Sequence, residues 1–204
     1  MRIHVLNKLY LTIKKPRFQK NLIKLYRLSQ SECTRNGKVC MHIGLAREKD
    51  LVACLKHELG DTIDYCIDND QPEDFIMDSQ KFSIKHSQDS LTTPVKINWN
   101  TGLYQESIDH LINHEPQHLL ISYINLNKKS IQIVCVSADQ VKTTIKQFGV
   151  SAFKIPSGNS RGIQFSRSAM DELLSKYYFK VLISDADLHG GMDPIERRIE
   201  LLSE

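Results

Sequence analysis

The chain has 204 residues, of which 41% are hydrophobic and 25% are charged, values typical of one soluble globular domain. They exclude a disordered chain, a collagen-like repeat and a small disulfide-rich scaffold. The formal net charge of +3 is unevenly distributed, because residues 1–50 carry 12 Lys and Arg against 3 Asp and Glu, whereas the other 154 residues carry 15 against 21. A basic N-terminal quarter favours a polyanionic partner, and the acidic remainder offers carboxylates for a metal ion.

The cysteines and the apolar runs indicate the compartment. The chain has five cysteines and no CxxC pair, and Cys54 and Cys135 lie in apolar runs, which predicts reduced thiols packed as small hydrophobic side chains. No apolar run reaches the ~18 residues of a membrane-spanning helix, and the N-terminus lacks the apolar segment of a signal peptide. We therefore expect a cytoplasmic protein with no membrane partner.

Apolar spacing predicts one domain of mixed α/β (α+β) class, with a central mixed β-sheet flanked by helices. Residues 1–44 are predicted to form a basic helical arm that includes a helix over 21–31. Residues 45–137 are predicted to form the core, with helices over 45–59 and 105–113 and strands over 74–78, 81–87, 95–99, 118–126 and 130–137. Residues 138–204 are predicted to form a C-terminal part, with helices over 139–148, 168–175 and 194–202 and a strand over 179–184. Gly60 is a natural helix stop, and Asp139 is the expected N-cap.

The two strands after Pro72 are predicted to form a hairpin about Ser79 and Gln80, which pairs residue 77 with 82 and residue 74 with 85. Strand alternation then separates a core face from a polar face. The core face holds Phe75, Met77, Phe82 and Ile84, and the polar face holds Asp74, Ile76, Asp78, Lys81, Ser83 and Lys85. His86 points away from Lys85 by the same parity. An aspartate beside a lysine suits phosphodiester hydrolysis with Mg²⁺, although a solvated cross-strand ion pair is the alternative.

These residues resemble the signature of the PD-(D/E)xK nuclease superfamily. The resemblance lies in Pro72-Glu73-Asp74 followed by Ser83-Ile84-Lys85, and the run FSIKHS over 82–87 is similar to the Type II restriction endonuclease branch. The order of helix, hairpin, helix and strand over 45–137 agrees with the family core. The resemblance implies that Asp74 and the backbone carbonyl of Ile84 bind Mg²⁺ and that Lys85 orients or activates the attacking water.

The sequence departs from that signature in two places. Glu73 separates Pro72 from Asp74, and Ser83 occupies the position of the second carboxylate. Some restriction enzymes resemble this arrangement and supply a glutamate from a helix instead. The candidates here are Glu48, which lies on the inward stripe of its predicted helix, Glu106 at a predicted helix start, and Glu58 at a helix end. Glu48 and Glu106 could alternatively serve only to favour a helix N-terminus electrostatically.

Three segments could contact DNA. Basic residues without an intervening acid occupy 14–27, where Lys14, Lys15, Arg17 and Lys20 are candidate phosphate contacts. Lys96 lies just beyond the proposed active strand. A polar loop near 156–162 offers Asn159 and Arg161, with Lys154 before it, as groups that could read base edges or bind phosphate. The alternatives are a solvated basic helix face and an ordinary exposed turn.

These patterns favour a Mg²⁺-dependent, site-specific DNA endonuclease that cuts both strands of a short duplex sequence. We expect a homodimer, because a short chain cannot easily embrace both strands and palindromic sites match two-fold protein symmetry. The alternatives are a structure-specific or repair nuclease of the same superfamily and a non-catalytic DNA-binding protein. His110, His114 and His118 recur every four residues, but Pro116 interrupts the helix, so zinc binding is not expected.

Overall fold

The computed structural model describes residues 2–37, 40–66, 73–87, 95–98, 104–113, 116–125, 130–154 and 162–184. The helices are α1 (Arg2–Ile13), α2 (Pro16–Arg35), α3 (Cys40–Leu59), α4 (Tyr104–Asn113), α5 (Ala138–Phe148) and α6 (Arg167–Ser175). The strands are β1 (Ile63–Tyr65), β2 (Phe75–Met77), β3 (Gln80–Ser87), β4 (Lys96–Asn98), β5 (His118–Asn125), β6 (Ser130–Val136), β7 (Phe153–Lys154), β8 (Ile163–Phe165) and β9 (Phe179–Ser184).

Two sheets are present within the described residues. The main sheet has the strand order β1-β2-β3-β5-β6-β9, and a small sheet has the order β4-β8-β7. Strands β3 and β5 are parallel, and the other neighbouring pairs are antiparallel. The parallel pair requires a long crossover, which α4 and β4 lie within. The predicted mixed sheet flanked by helices is confirmed.

Each face of the main sheet is covered by its own hydrophobic cluster. Helices α1, α2 and α3 cover the first face, where the core residues include Leu9, Phe18, Leu22, Leu51, Leu55, Phe75, Met77, Phe82 and Ile84, all of them 0% exposed. Helices α4, α5 and α6 and the small sheet cover the second face. The hydrophobic cluster there includes the main-sheet residues Leu119, Ile121, Val134 and Val136. The residues predicted to form a basic arm include both α1 and α2, and each helix contributes buried side chains to the first cluster.

Local sequence explains where several elements begin and end. Pro16 starts α2, since the first turn of a helix needs no backbone N–H. Ser137, rather than the expected Asp139, is the N-cap of α5, because its hydroxyl accepts the N–H of Gln140 at 3.2 Å. Strands β1, β7 and β8 are too short to be seen in the hydrophobic pattern. The predicted helix over 194–202 lies outside the described residues.

No helix in the described ranges is long and apolar enough to cross a membrane. Cys33, Cys54, Cys66 and Cys135 are buried and form no disulfide with one another.

Candidate active site

The β2–β3 hairpin turns at Asp78 and Ser79, one residue earlier than predicted. Both residues have positive φ, +46° and +64°, as a two-residue type I′ turn requires. The register pairs Phe75 with Phe82 and Met77 with Gln80, so the predicted pairing was wrong by two residues. A shift of two preserves the faces of a strand, and the assignment of Phe75 and Phe82 to the core is confirmed.

The observed register ends at Phe75 and Phe82 and does not pair Asp74 with Lys85. The backbone N–H of Asp74 donates to the carbonyl of Phe82 at 2.9 Å. One carboxylate oxygen of Asp74, Oδ2, then accepts the hydroxyl of Ser83 at 3.2 Å and the backbone N–H of Ile84. The ammonium Nζ of Lys85 lies 3.7 Å from the same oxygen. Asp74 is thus held by two hydrogen bonds and one ion pair, which come from three successive residues of β3.

Glu48 reaches the same edge of β3 from helix α3. Its carboxylate accepts the backbone N–H of His86 and lies within the electrostatic influence of Lys85 and Asp74. Burial raises the pKa of Glu48 to about 7, the charge of Asp74 adds to this effect, and Lys85 and the His86 N–H oppose it. A desolvated carboxyl group beside a second carboxylate and a lysine is typical of functional sites.

The two carboxylates occupy consecutive positions along one strand edge. The N–H of residue 84 binds Asp74 and the N–H of residue 86 binds Glu48, and residues two apart on a strand are separated by about 7 Å. In a strand the N–H and C=O of one residue point to the same side, so the carbonyl of Ile84 points to this edge, between the two N–H groups. Asp74, Glu48 and this carbonyl therefore form one row of oxygen atoms.

The other glutamates that could have replaced Ser83 are placed differently. Glu58 forms ion pairs with Lys15 at 3.1 Å and Arg17 at 3.8 Å at the C-terminal end of α3. Ten residues of helix separate it from Glu48, a rise of about 15 Å, so Glu58 is not brought to the hairpin. Glu106 lies on α4, and its side chain lies outside the described part of the chain.

A buried polar network behind the hairpin was not predicted. Arg47, only 3% exposed, donates to the ring Nε2 of His86 at 2.8 Å and to Oε1 of Gln30 at 2.6 Å. Tyr26 meets the ring of His86 edge-on, with 6.2 Å between the ring centroids, and its hydroxyl lies 2.8 Å from that of Ser122. Strand parity correctly predicts that His86 points away from Lys85, but no local pattern identifies partners on other elements.

His118 is a structural residue. Its Nδ1 accepts the N–H of Ala138 at 3.0 Å at the start of α5. Its Nε2 lies 3.3 Å from the side-chain oxygen of Gln80. Both ring nitrogens of His118 therefore have protein partners.

Comparisons with known proteins address the fold. No protein-family model matches the chain, and no curated protein matches it. A solved structure described as a restriction endonuclease in complex with substrate DNA matches with a TM-score of 0.70 and 21% sequence identity, over 92% of this chain and 92% of that chain. The chain has a restriction-endonuclease-like fold. The likeness extends well beyond residues 45–137 and confirms the fold predicted from the hairpin signature.

The row of oxygen atoms in this restriction-endonuclease-like fold fits magnesium. Mg²⁺ prefers hard oxygen ligands and is usually held by one or two carboxylates, with the rest of its shell left to water and substrate phosphate. Asp74 and Glu48 supply two carboxylates, and Ile84 supplies a carbonyl. Among the described side chains no cluster of three or more His, Cys, Asp or Glu is placed to hold a metal.

The small sheet lies on the same side of the main sheet as Ser83 and Lys85. These residues pair with Leu119 and Ile121 on parallel β5, and paired residues share a face. That face carries the second cluster, to which Ile163 of β8 also belongs. A substrate bound over Lys85 would therefore approach the small sheet.

The predicted DNA-contacting residues fall into two groups. Lys96 and Lys154 both pair with Gln164, the central residue of the small sheet, and Lys154 is exposed. The side chain of Lys96 and the whole of Asn159 and Arg161 lie outside the described residues. The other group, Lys14, Lys15, Arg17 and Lys20, is exposed at the end of the α2–α3 pair remote from Glu48.

Proposed function

We propose that this protein is a Mg²⁺-dependent DNA endonuclease. The observation that carries the proposal is the convergence of Asp74, Glu48 and Lys85 at one strand edge of a restriction-endonuclease-like fold. A solvated surface ion pair would not explain why a half-buried aspartate accepts two hydrogen bonds besides the ion pair, or why a second half-buried carboxylate lies beside it.

The residues at this edge have distinct proposed roles. Mg²⁺ bound there would polarise the scissile phosphate and lower the pKa of the attacking water. Asp74, Glu48 and the carbonyl of Ile84 would hold the ion. The hydroxyl of Ser83 and the N–H of Ile84 orient the Asp74 carboxylate, so that little reorganisation is needed when substrate binds.

Lys85 is the proposed partner of the attacking water. Its ammonium lies 3.7 Å from Asp74 and is only partly exposed, so its charge is less screened than that of a surface lysine. A cation at this point would stabilise the negative charge that develops on the phosphate and would hold the water in line for attack. Ser83 is not a second metal ligand in this proposal, because Glu48 supplies the missing carboxylate from helix α3.

The proposed substrate is duplex DNA. The small sheet places Lys96 and Lys154 on either side of Gln164, on the side of the main sheet that Lys85 faces. Lysine side chains there would contact phosphates, and a glutamine can pair with a base edge. The exposed basic group at the other end of α3 lies remote from Glu48. DNA bound at the site would therefore have to run past that end of α3 to reach this group, namely Lys14, Lys15, Arg17 and Lys20.

We further propose that cleavage is site-specific, as in Type II restriction enzymes, and that the active species is a homodimer. A two-fold dimer places two copies of the Asp74 site on opposite strands of a palindromic sequence. Analytical ultracentrifugation with and without duplex DNA tests the dimer. A protein that remains monomeric on DNA while cutting both strands would contradict it.

Digestion of a sequenced plasmid with Mg²⁺ or with EDTA, followed by mapping of the ends, tests the function. Discrete fragments that require Mg²⁺ support the proposal. Cleavage confined to branched or damaged substrates would instead indicate a structure-specific nuclease. An uncut plasmid, under conditions in which the folded protein binds DNA, would overturn the catalytic proposal and favour a binding protein.

A further inference from the structure

One residue of β3 contacts two consecutive residues of α3. The backbone N–H of His86 donates to the carboxylate of Glu48, and the ring Nε2 of His86 accepts Nη1 of Arg47 at 2.8 Å. His86 directly follows Lys85 in the chain, and Arg47 directly precedes Glu48. The contact therefore joins the two elements at the point where they deliver the proposed catalytic lysine and second carboxylate.

The contact between the Arg47 and His86 side chains is supported by residues of α2 and β5. Nη2 of Arg47 donates to Gln30 on α2 at 2.6 Å, and the Arg47 guanidinium lies 5.8 Å from the ring centroid of Tyr26. Tyr26 is in turn tied to Ser122 on β5. A buried guanidinium is costly unless its donors are satisfied in a fixed geometry. The two terminal nitrogens of Arg47 are both bonded, so the side chain links α3 to β3 and to α2.

We propose that Arg47 and His86 are positioning residues, which fix α3 against β3 so that Glu48 stands beside Asp74 and Lys85 in a geometry that can bind a divalent cation. The inference rests on the proposed function for the identity of the metal site. Neither side chain contacts the metal or the substrate in this proposal. They act through Glu48, whose distance from Asp74 depends on the separation of helix and strand.

The test compares His86→Leu with His86→Gln. Leucine removes the acceptor for Arg47, whereas the side-chain oxygen of glutamine can take the place of Nε2. Calorimetric titration with Mn²⁺ in the absence of DNA measures metal affinity directly, and the Mg²⁺ concentration for half-maximal plasmid cleavage is measured beside it. Loss of a residue that orients a metal ligand typically weakens metal affinity about 10–100-fold. We expect that loss for His86→Leu and recovery to within a few-fold of wild type for His86→Gln.

His118→Leu is the matched control, since His118 is a buried histidine on the neighbouring strand β5 whose two ring nitrogens bond to Gln80 and Ala138 rather than to Arg47. It should lower the unfolding midpoint and leave Mn²⁺ affinity unchanged. Equal losses of affinity in His118→Leu and His86→Leu would overturn the proposal, because general destabilisation would explain both. Unchanged affinity in folded His86→Leu would overturn it as well.

Gln30→Leu covers the case in which His86→Leu does not fold, because it removes only the second acceptor of Arg47. We expect a few-fold weaker Mn²⁺ affinity, and an unchanged affinity in that folded variant would overturn the proposal. The two proposals can fail separately. Wild-type protein that binds Mn²⁺ but cuts no DNA contradicts the proposed function alone, and wild-type protein that binds no Mn²⁺ contradicts the inference.

Discussion

Replacing Glu48 by glutamine should stabilise the metal-free protein at alkaline pH. The pKa of Glu48 rises from 4.5 to about 7 on folding because the carboxyl group is buried. A carboxyl group whose pKa is higher in the folded state favours folding while it is protonated, and that advantage is lost as the pH rises. The loss begins near the unfolded value and is complete above the folded value.

The magnitude follows from the two pKa values. A change from 4.5 to about 7 corresponds to about 3 kcal/mol, since each tenfold change in proton affinity is about 1.4 kcal/mol. The glutamine variant keeps an oxygen that can accept the His86 N–H but carries no charge. Its free energy of unfolding should therefore equal that of wild type near pH 4.5 and exceed it by about 2–3 kcal/mol above about pH 8.

Urea denaturation of both proteins in EDTA, followed by circular dichroism across this pH range, measures the difference. Parallel pH profiles for Glu48→Gln and wild type would refute the reasoning, because they would mean that Glu48 is solvated or already neutralised in the fold. Adding Mg²⁺ at alkaline pH provides a second reading. Wild type should gain stability by ligand binding, and the variant should gain much less.

Three further changes test other parts of the structure. Lys85→Gln should reduce the cleavage rate about 10²–10⁴-fold, which is the usual effect of removing a group that transfers a proton or stabilises charge. The variant should still bind duplex DNA in a gel-shift assay, and a cleavage rate within tenfold of wild type would contradict the proposed role of Lys85. Phe82→Ala should lower the free energy of unfolding, measured by urea denaturation, by about 3–5 kcal/mol, because Phe82 is fully buried and its ring centroid lies 4.6 Å from that of Phe75 and 4.8 Å from that of His118. A loss below about 1 kcal/mol would mean that the hairpin is not packed as described. Glu58→Gln should change the free energy of unfolding by less than about 1 kcal/mol, because its partners Lys15 and Arg17 are exposed. It should also leave the cleavage rate unchanged, and a large loss of cleavage would mean that the second carboxylate of the site is Glu58 at the other end of α3.

The faces of the hairpin were predictable because strand parity needs only local sequence. Phe75, Met77, Phe82 and Ile84 are all 0% exposed, as their alternation predicts. The register was not predictable, because Asp78 and Ser79 adopt positive φ without the Asn-Gly or Asp-Gly pair that favours such a turn. The predicted polar face of the hairpin was still correct, because a register shift of two residues leaves the same residues on each face.

The position of Glu48 could be predicted in part. The helical stripe that it shares with Val52 and Leu55 indicates an inward side chain, and the structure places it at the hairpin edge. The contact of Arg47 with His86 could not be predicted, because it joins residues 39 apart through tertiary packing alone. Charge counting suggested a basic helical arm over residues 1–44 but did not show that Leu9, Phe18 and Leu22 of α1 and α2 are buried in the core. A net charge per segment does not say which face of a helix is buried.

Asp74 is proposed to hold the metal for phosphodiester cleavage, and the cleavage rate of Asp74→Asn measures that role. Asparagine keeps an oxygen for the N–H of Ile84 and the hydroxyl of Ser83 but removes the charge. Asp78→Asn is the matched control, since Asp78 lies in the same hairpin, is exposed and pairs with Lys8 at 3.4 Å. In Mg²⁺, wild type and Asp78→Asn should cut plasmid DNA at the same rate, and Asp74→Asn should bind duplex DNA but cut it at least about 10³-fold more slowly. Equal cleavage by Asp74→Asn and wild type would contradict the account.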